Sequence, residues 1–256
     1  MKRSLDLPLT IRPVVGMDDE YPAGYVDSFH SHDRAQLSYA LSGVMAFVTD
    51  DSTYVLPPNR AIWLPAGTRH QVSCRGPVTF NLLYIDPDLP TQCGQCRVFD
   101  VSLLVHALIQ EVLTFDHAYD ETGREGRIVR LLLDEIGRMP ATPAVSAPMP
   151  RDARLRRVCD QIVADPADQR DLDELARLAG MGRRTFTRSF RHETGMAFAM
   201  WRQQVRLMAA ISLLGEGKSI TSIAYDVGYE SPSSFTAMFH RVLGVAPSHY
   251  GRQNDA

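Results

Sequence analysis

Ala176-x3-Gly180-x5-Phe186-x3-Phe190-x4-Gly195 is followed, 48 residues on at the turn glycine, by Ala224-x3-Gly228-x6-Phe235-x3-Phe239-x4-Gly244. The two stretches match position by position, except for one extra residue after the second turn. Each reads as a helix-turn-helix. A small Ala lets two helices approach, Gly supplies the positive φ of the turn, and two Phe at i, i+4 seat the second helix on the first. Two such units in one chain predict paired helices able to enter successive major grooves on one face of double-stranded DNA.

The sequence around each turn supports that reading. Asp171 with Glu174 three residues later predicts a capped start for the supporting helix, with Leu172, Leu175, Ala176 and Ala179 as its buried face. The helix after Gly180-Met181-Gly182 reads RRTFTRSFRHETG; Phe186 and Phe190 point inward, so Arg184, Thr187, Arg188 and Arg191, with Arg183 at the start, are candidate DNA contacts. Arg bonds bidentately to guanine or phosphate, and Thr meets a thymine methyl or a backbone oxygen. In the second unit Ser219 predicts an N-cap and Ile220, Ile223, Ala224 and Val227 the inner face. Ser231 before Pro232 is a helix start, and Ser231, Ser233, Ser234, Thr236, His240 and Arg241 are candidate contacts to the phosphate backbone.

From residue 153 to 250 the chain resembles the DNA-binding domain of the AraC/XylS family of transcriptional regulators. The likeness is carried by IAYDVGYESPSSFTAMFHRVLGVAPSHY, by RTFTRSFRHETG and by the WRQQVRL helix between them. It implies that Arg184, Thr187 and Arg188 face bases in the first groove. The family often has Arg where this chain has Ala237, which assigns the second unit to the DNA backbone rather than to base readout.

The other half carries a different chemistry. Between residues 25 and 85 the signal is β: Leu37, Tyr39 and Leu41 alternate with Gln36, Ser38 and Ala40. Short strands are expected at 53–56, 61–64, 70–74 and 78–85, punctuated by Asp50-Asp51, Pro57-Pro58-Asn59 and Ala66-Gly67. This spacing predicts a small barrel or jelly roll. Within it stands Gly24-x5-His30-x-His32-x3-Gln36-x6-Gly43, then Pro65-x-Gly67-x2-His70. Residues two and four apart on a strand share a face, so His30, His32 and Gln36 can converge, with His70 from a neighbouring strand. Three imidazoles and an oxygen donor suit Zn, Fe, Ni or Mn. The spacing resembles the first motif of the cupin barrel, with Gln36 where Glu is usual. The second motif is partial, with Asn59 for its leading Gly and Cys74 for its closing Asn. Two readings stay open: one divalent transition metal as cofactor, or a metal-free pocket for a small organic effector. Trp63, Phe47, Tyr39 and Tyr84 read first as core residues and, as an alternative, as its apolar wall.

Two helical segments follow the strands, at 102–115 and 124–138. Leu104, Ala107, Leu108 and Glu111 fall at helical spacing beside Leu103 and Val112 in the first, and Ile128, Leu131, Leu132 and Ile136 form an apolar stripe in the second; such faces pack on the barrel or pair two chains. MPATPAVSAPMP (139–150) reads as a linker. The expected fold class is therefore α+β: a cupin-like sensor barrel (1–99), a helical dimerisation or packing segment (100–138), the linker, and an all-α domain of two helix-turn-helix units joined by a long helix (151–256).

Bulk composition agrees. A length of 256 residues suits two domains, and 45% hydrophobic with 22% charged residues is ordinary for a globular protein. Residues 1–150 carry 12 Lys/Arg against 18 Asp/Glu, whereas 151–256 carry 15 against 12. The basic half is the one that must meet phosphates. MKRSLDLPLT lacks the apolar run of a signal peptide, and no stretch nears the roughly 20 apolar residues that span a bilayer, so a bacterial cytoplasmic location and no membrane partner are expected. Cys93-Gly-Gln-Cys96 is a lone CxxC without a second ligand pair. The leading expectation is an effector-responsive, homodimeric transcriptional regulator acting with RNA polymerase. Its resemblance implies control of neighbouring genes, transport or efflux among them. The alternatives are a metal-dependent cupin enzyme fused to a DNA-binding tail and an architectural DNA binder.

Overall fold

The computed structural model describes residues 12–74, 76–89, 94–116, 118–140 and 146–250. The N-terminal stretch, Cys93 and linker residues 141–145 lie outside the described residues. The chain divides into two units, Met1–Met45 with Leu56–Ala144, and Ala46–Val55 with Val145–Ala256. The strands run β1 (Val14–Tyr21), β2 (Val26–His30), β3 (Ala35–Ser42), β4 (Met45–Thr49), β5 (Ser52–Leu56), β6 (Arg60–Leu64), β7 (His70–Cys74), β8 (Val78–Ile85) and β9 (Arg97–Asp100). Helices α1 (Leu103–Val112) and α2 (Arg124–Arg138) follow.

In the first unit β3 sits in the middle of an antiparallel sheet ordered β1-β8-β3-β6-β9. It is buried on both faces from Ala35 to Ala40, so the expected alternation is one of chemistry rather than of exposure. Residues directly opposite one another in an antiparallel pair share a face. Leu37 opposes Leu83 and Trp63, and Tyr39 opposes Ala61; this face forms one core with Val105, Ile109 and Val112 of α1 and Val129, Leu132 and Ile136 of α2. Gln36 opposes Tyr84 and Leu64, and Ser38 opposes Leu82 and Ile62, on the other face. Trp63 and Tyr39 lie, as the core reading expects, in the helix-covered core rather than at a pocket wall, and the Tyr39 hydroxyl lies 2.9 Å from Nδ1 of His106. Of the two remaining wall candidates, Tyr84 is on the opposite face and Phe47 is buried in β4.

The helical stripes are rotated relative to expectation. The buried face of α1 is Val105, Leu108, Ile109 and Val112, and that of α2 is Gly126, Val129, Leu132 and Ile136. Leu103, Leu104 and Leu131 are exposed. Both helices carry more apolar residues than one face can bury, and spacing alone does not say which set turns inward. Strand β1 lies outside the stretch expected to be β, because Asp18, Asp19 and Glu20 interrupt its apolar pattern, although Val14, Val15, Met17 and Tyr21 are buried.

In the second unit, β10 (Ser146–Pro148) pairs antiparallel with β5. Helices α3 (Ala153–Ala164), α4 (Leu172–Leu178), α5 (Arg183–Thr194), α6 (Phe198–Gly215), α7 (Ile220–Asp226), α8 (Pro232–Leu243) and α9 (Pro247–Tyr250) complete it. The stretch expected as a linker thus ends in ordered structure, with Ala147 and Met149 buried, because Ala, Ser and Pro suit an edge strand as well as a spacer. Met149 N donates to Asp51 O (2.8 Å), Arg156 Nη1 donates to Asp50 O (2.6 Å), and Arg151 pairs with Asp51 (3.4 Å). The β4–β5 turn is therefore held by the segment that leads into the helices.

The repeat appears as two like pairs, α4–α5 and α7–α8. Asp171 and Glu174 form the expected capping box, Ser219 caps α7, and Ser231 caps α8 with Pro232 at its first turn. Phe186, Phe190, Phe235 and Phe239 are fully buried. Gly228 adopts φ 80°, and a Cβ there would stand 2.9 Å from Cα of Ala167. That close approach lets Gln169 Nε2 donate to Gly228 O (2.9 Å) while Arg206 donates to the carbonyls of Pro166 and Asp168. The loop entering the first pair is thereby tied to the turn of the second.

Gly43, in the turn after β3, has φ 73°, and an added Cβ would lie 2.2 Å from the Pro77 carbonyl oxygen. Gly24 has φ 78° in open space. Gly24→Ala costs about 1–2 kcal/mol for the left-handed backbone alone. Gly43→Ala must cost more, because a backbone oxygen cannot move aside. Urea unfolding of the two variants checks this, and equal midpoints would contradict it.

Candidate nucleic-acid interface and candidate metal centre

Helix α5 turns Phe186 and Phe190 into a core with Phe198 and Trp201, in which Phe190 and Trp201 meet at 5.7 Å and Phe198 and Trp201 at 5.8 Å. With that face fixed, the 3.6-residue period sends Arg184, Thr187, Arg188 and Arg191 outward, and all four are exposed. Among the described residues none of these three arginines has a carboxylate within ion-pair distance. Arg183 differs: its Nη1 lies 3.0 Å from Oδ2 of Asp173 on α4. It closes an ion pair within the unit, and the outward stripe begins at Arg184. The Thr187 hydroxyl donates back to the Arg183 and Arg184 carbonyls.

The stripe forms one wall of a groove of about 720 Å³. Leu172 of α4 and Ala197, Phe198, Ala199 and Arg202 at the start of α6 form the rest. Sequence reading missed Arg202, since it follows a buried Trp in a helix expected only to connect the two units. On α8, Ser233, Ser234, His240 and Arg241 are exposed, and Thr236 is half-buried beside exposed Ala237. Ser231, Ser233 and Ser234 hydrogen-bond with one another at the cap. Their hydroxyls are thus ordered at the helix N-terminus, where anions are favoured.

In the first unit His30 ends β2, His32 follows it, and His70 opens β7, which pairs with β2 so that His30 and His70 are in register. One ligand atom from each imidazole lies within 4.8 Å of the other two. Nδ1 of His30 is 2.7 Å from Ser28 O, and Nδ1 of His70 is 2.9 Å from Thr68 O. A carbonyl only accepts, so both Nδ1 atoms carry a proton, and the tautomer this selects has its lone pair on Nε2. His32 Nε2 lies 2.7 Å from Gln36 Oε1, while Gln36 Nε2 donates to Ser38 Oγ at 2.7 Å. Ser38 thereby orients the Gln36 oxygen toward the histidines, and His32 packs against Tyr84 at 5.2 Å.

Burial, then the neighbouring His70 and His30, lowers the His32 pKa to about 4. Burial also lowers that of His70, against the opposing hydrogen bond to Thr68. Both rings are neutral near pH 7, the state that ligates metals. Asp27 lies 3.8 Å from His30. All four residues predicted from the sequence spacing are brought together. Cys74 is buried, with its thiol pushed up to about 12 by desolvation, and Cys96 is half-buried.

A cupin-domain model matches residues 18–86, and a helix-turn-helix-domain model matches residues 175–253. The chain is 28% identical over 221 residues to the HTH-type transcriptional regulator NimR of Escherichia coli K12, covering 86% of this chain and 81% of NimR. It is 35% identical over 138 residues to the HTH-type transcriptional regulator RipA of Corynebacterium glutamicum, covering 54% of this chain but only 40% of RipA. The crystal structure of unsaturated fatty acid bound ToxT from Vibrio cholerae aligns over 96% of this chain and 97% of that one, at 15% identity and a TM-score of 0.39. Among the described residues no helix is long and apolar enough to cross a membrane.

Proposed function

We propose, from the premise that this chain belongs to the AraC/XylS family of DNA-binding transcriptional regulators, that its cupin region senses an effector and its helix-turn-helix pair carries the response to promoter DNA. One observation carries the DNA half: the outward stripe of α5, whose Arg184, Arg188 and Arg191 are exposed and have no ion-pair partner among the described residues. Arg184, Thr187 and Arg188 read bases, while Ser233, Ser234, His240 and Arg241 hold the backbone beside a second groove. The read-out is the recruitment or exclusion of RNA polymerase, which places the protein in the cytoplasm with the chromosome. Exposed Leu103, Leu104 and Leu131 on α1 and α2 are the proposed contact of a homodimer.

The effector site is the His30, His32, Gln36 and His70 cluster. Its neutral nitrogen donors, with two Nδ1 protons tied to carbonyls, fit a divalent transition metal such as Zn, Fe, Ni or Mn. Those four residues would hold the ion. It would supply a Lewis-acidic positive centre, and a neutral Gln36 would leave that charge uncompensated. Sensing is favoured over catalysis because NimR, matched across both domains, is named as a regulator. Within the second unit the response is carried from the β4–β5 turn. That turn lies inside the cupin match in sequence yet is bonded to β10, Arg151 and Arg156 in the second unit. From there Glu193 of α5 accepts the Arg151 and Asp152 amides (2.7 and 2.9 Å), and Trp201 Nε1 donates to Pro148 O at 2.7 Å. An effector that shifts this turn biases the placement of α5.

Three outcomes are expected. Purified protein holds about one metal ion per chain and His30→Ala/His32→Ala holds none, as elemental analysis would show; metal in neither makes the cluster an organic-ligand pocket. Arg188→Ala costs about 1–3 kcal/mol and relaxes preference at one base position, whereas Arg241→Ala weakens binding to all sequences alike. Unchanged operator affinity in Arg188→Ala would refute the assigned reading face. Glu193→Ala keeps effector-free operator affinity within about threefold but loses the effector dependence of transcription; an undiminished response would exclude this route.

A further inference from the structure

Arg202 shares its groove with Arg184, Arg188 and Arg191. Its Nη2 donates to the Arg170 carbonyl at 2.8 Å, and its guanidinium lies 5.1 Å from the centre of the Phe198 ring. Its Nε is buried without a hydrogen-bond partner. Asp168, whose charge reaches Arg202, is already engaged by the Arg170 side chain and backbone amide. Four cations thus line one groove with an apolar floor, and among the described residues no carboxylate pairs with any of them. Like charges in a partly desolvated groove repel, and an anion relieves them. Arg184 and Arg188 belong to the face assigned to bases, so a duplex read there brings a phosphate backbone alongside Arg191 and Arg202.

We propose that Arg202 and Arg191 seat one phosphodiester of the DNA backbone, with Phe198 and the Arg170 carbonyl fixing the plane of the Arg202 guanidinium. A guanidinium held flat offers its paired N–H groups to phosphate oxygens, a geometry that Lys matches in charge but not in shape. This seat rests on the reading that α5 enters a groove. It adds a register: the bound phosphate fixes how far along the backbone Arg188 can reach.

The test measures binding of the full-length protein to two duplexes across a series of salt concentrations. One duplex is selected by the protein itself from a randomised library, and the other is of mixed sequence. Arg202→Gln should weaken both by the same factor, about three- to tenfold, and reduce the slope of log K against log salt by about 0.9, the share of one phosphate. Arg202→Lys should recover the slope, and Arg191→Gln should reproduce the effect of Arg202→Gln. A purely structural Arg202 would lower the melting temperature and leave the slope unchanged, which overturns the proposal. A loss confined to the selected duplex also overturns it, because that is base readout. If Arg188→Ala alters no sequence preference, the reading face is wrong. The slope on mixed-sequence DNA still decides the phosphate seat.

Discussion

A buried indole N–H must find an acceptor or forfeit the cost of its desolvation. Trp201 is fully buried, and its N–H is met by the carbonyl of Pro148. That bond constrains more of the second unit than its length suggests. Trp201 stacks with Phe198 and meets Phe190 edge-on, so the inner face of α5 is fixed to the start of α6. Pro148 ends β10, whose partner β5 runs out of the Asp50-Asp51 turn. An apolar residue at position 201 would keep the packing but release β10 from the aromatic core. The direction of the arginine stripe thus follows from this aromatic packing of Phe186 and Phe190, and the indole hydrogen bond adds the tie from α6 to β10.

The first unit solves a related problem with its two-faced sheet. One face is largely apolar, with the Tyr39 hydroxyl met by His106, and packs α1 and α2 against it. The other carries Gln36 and Ser38, buried polar groups that stay affordable only because each has a partner. Ser38 holds Gln36, Gln36 meets His32, and the backbone carbonyls of Ser28 and Thr68 hold the other two rings. His30 and His70 are therefore pre-set in tautomer with Nε2 unprotonated, whereas His32 Nε2 donates its proton to Gln36 and must lose it before that atom can ligate.

Much of this was legible in the sequence, and what was not has physical reasons. The helix-turn-helix pair was visible because its requirements are local: a turn glycine, a capping box, phenylalanines one helical turn apart. The histidine cluster was legible from its spacing but not through one strand face, because His30 ends β2, His32 lies in the connection and Gln36 belongs to β3; the turn between the strands brings them together. The inward faces of α1 and α2 were misjudged because Leu103, Leu104 and Leu131 are as apolar as the residues that are buried, and only the sheet decides between them. Strand β10 was hidden in a stretch of small residues and prolines, since its pairing with β5 spans about ninety positions of sequence. The Arg183–Asp173 pair and the place of Arg202 were likewise out of reach, because neighbours brought together by folding leave no periodic trace.

The tie between Gln169 and Gly228, reinforced by Arg206, has a consequence for the nucleic acid rather than the protein. It holds the entry of the first helix pair to the turn of the second, so the distance between α5 and α8 is set within the protein. A duplex whose grooves lie at another spacing or phase must curve to meet them. Curving a short duplex costs of order 1–6 kcal/mol, less at pliable pyrimidine–purine steps than along stiff adenine tracts. Base pairs lying between the two contacts, touched by no side chain, thereby acquire a preference of their own, written in the flexibility of the double helix.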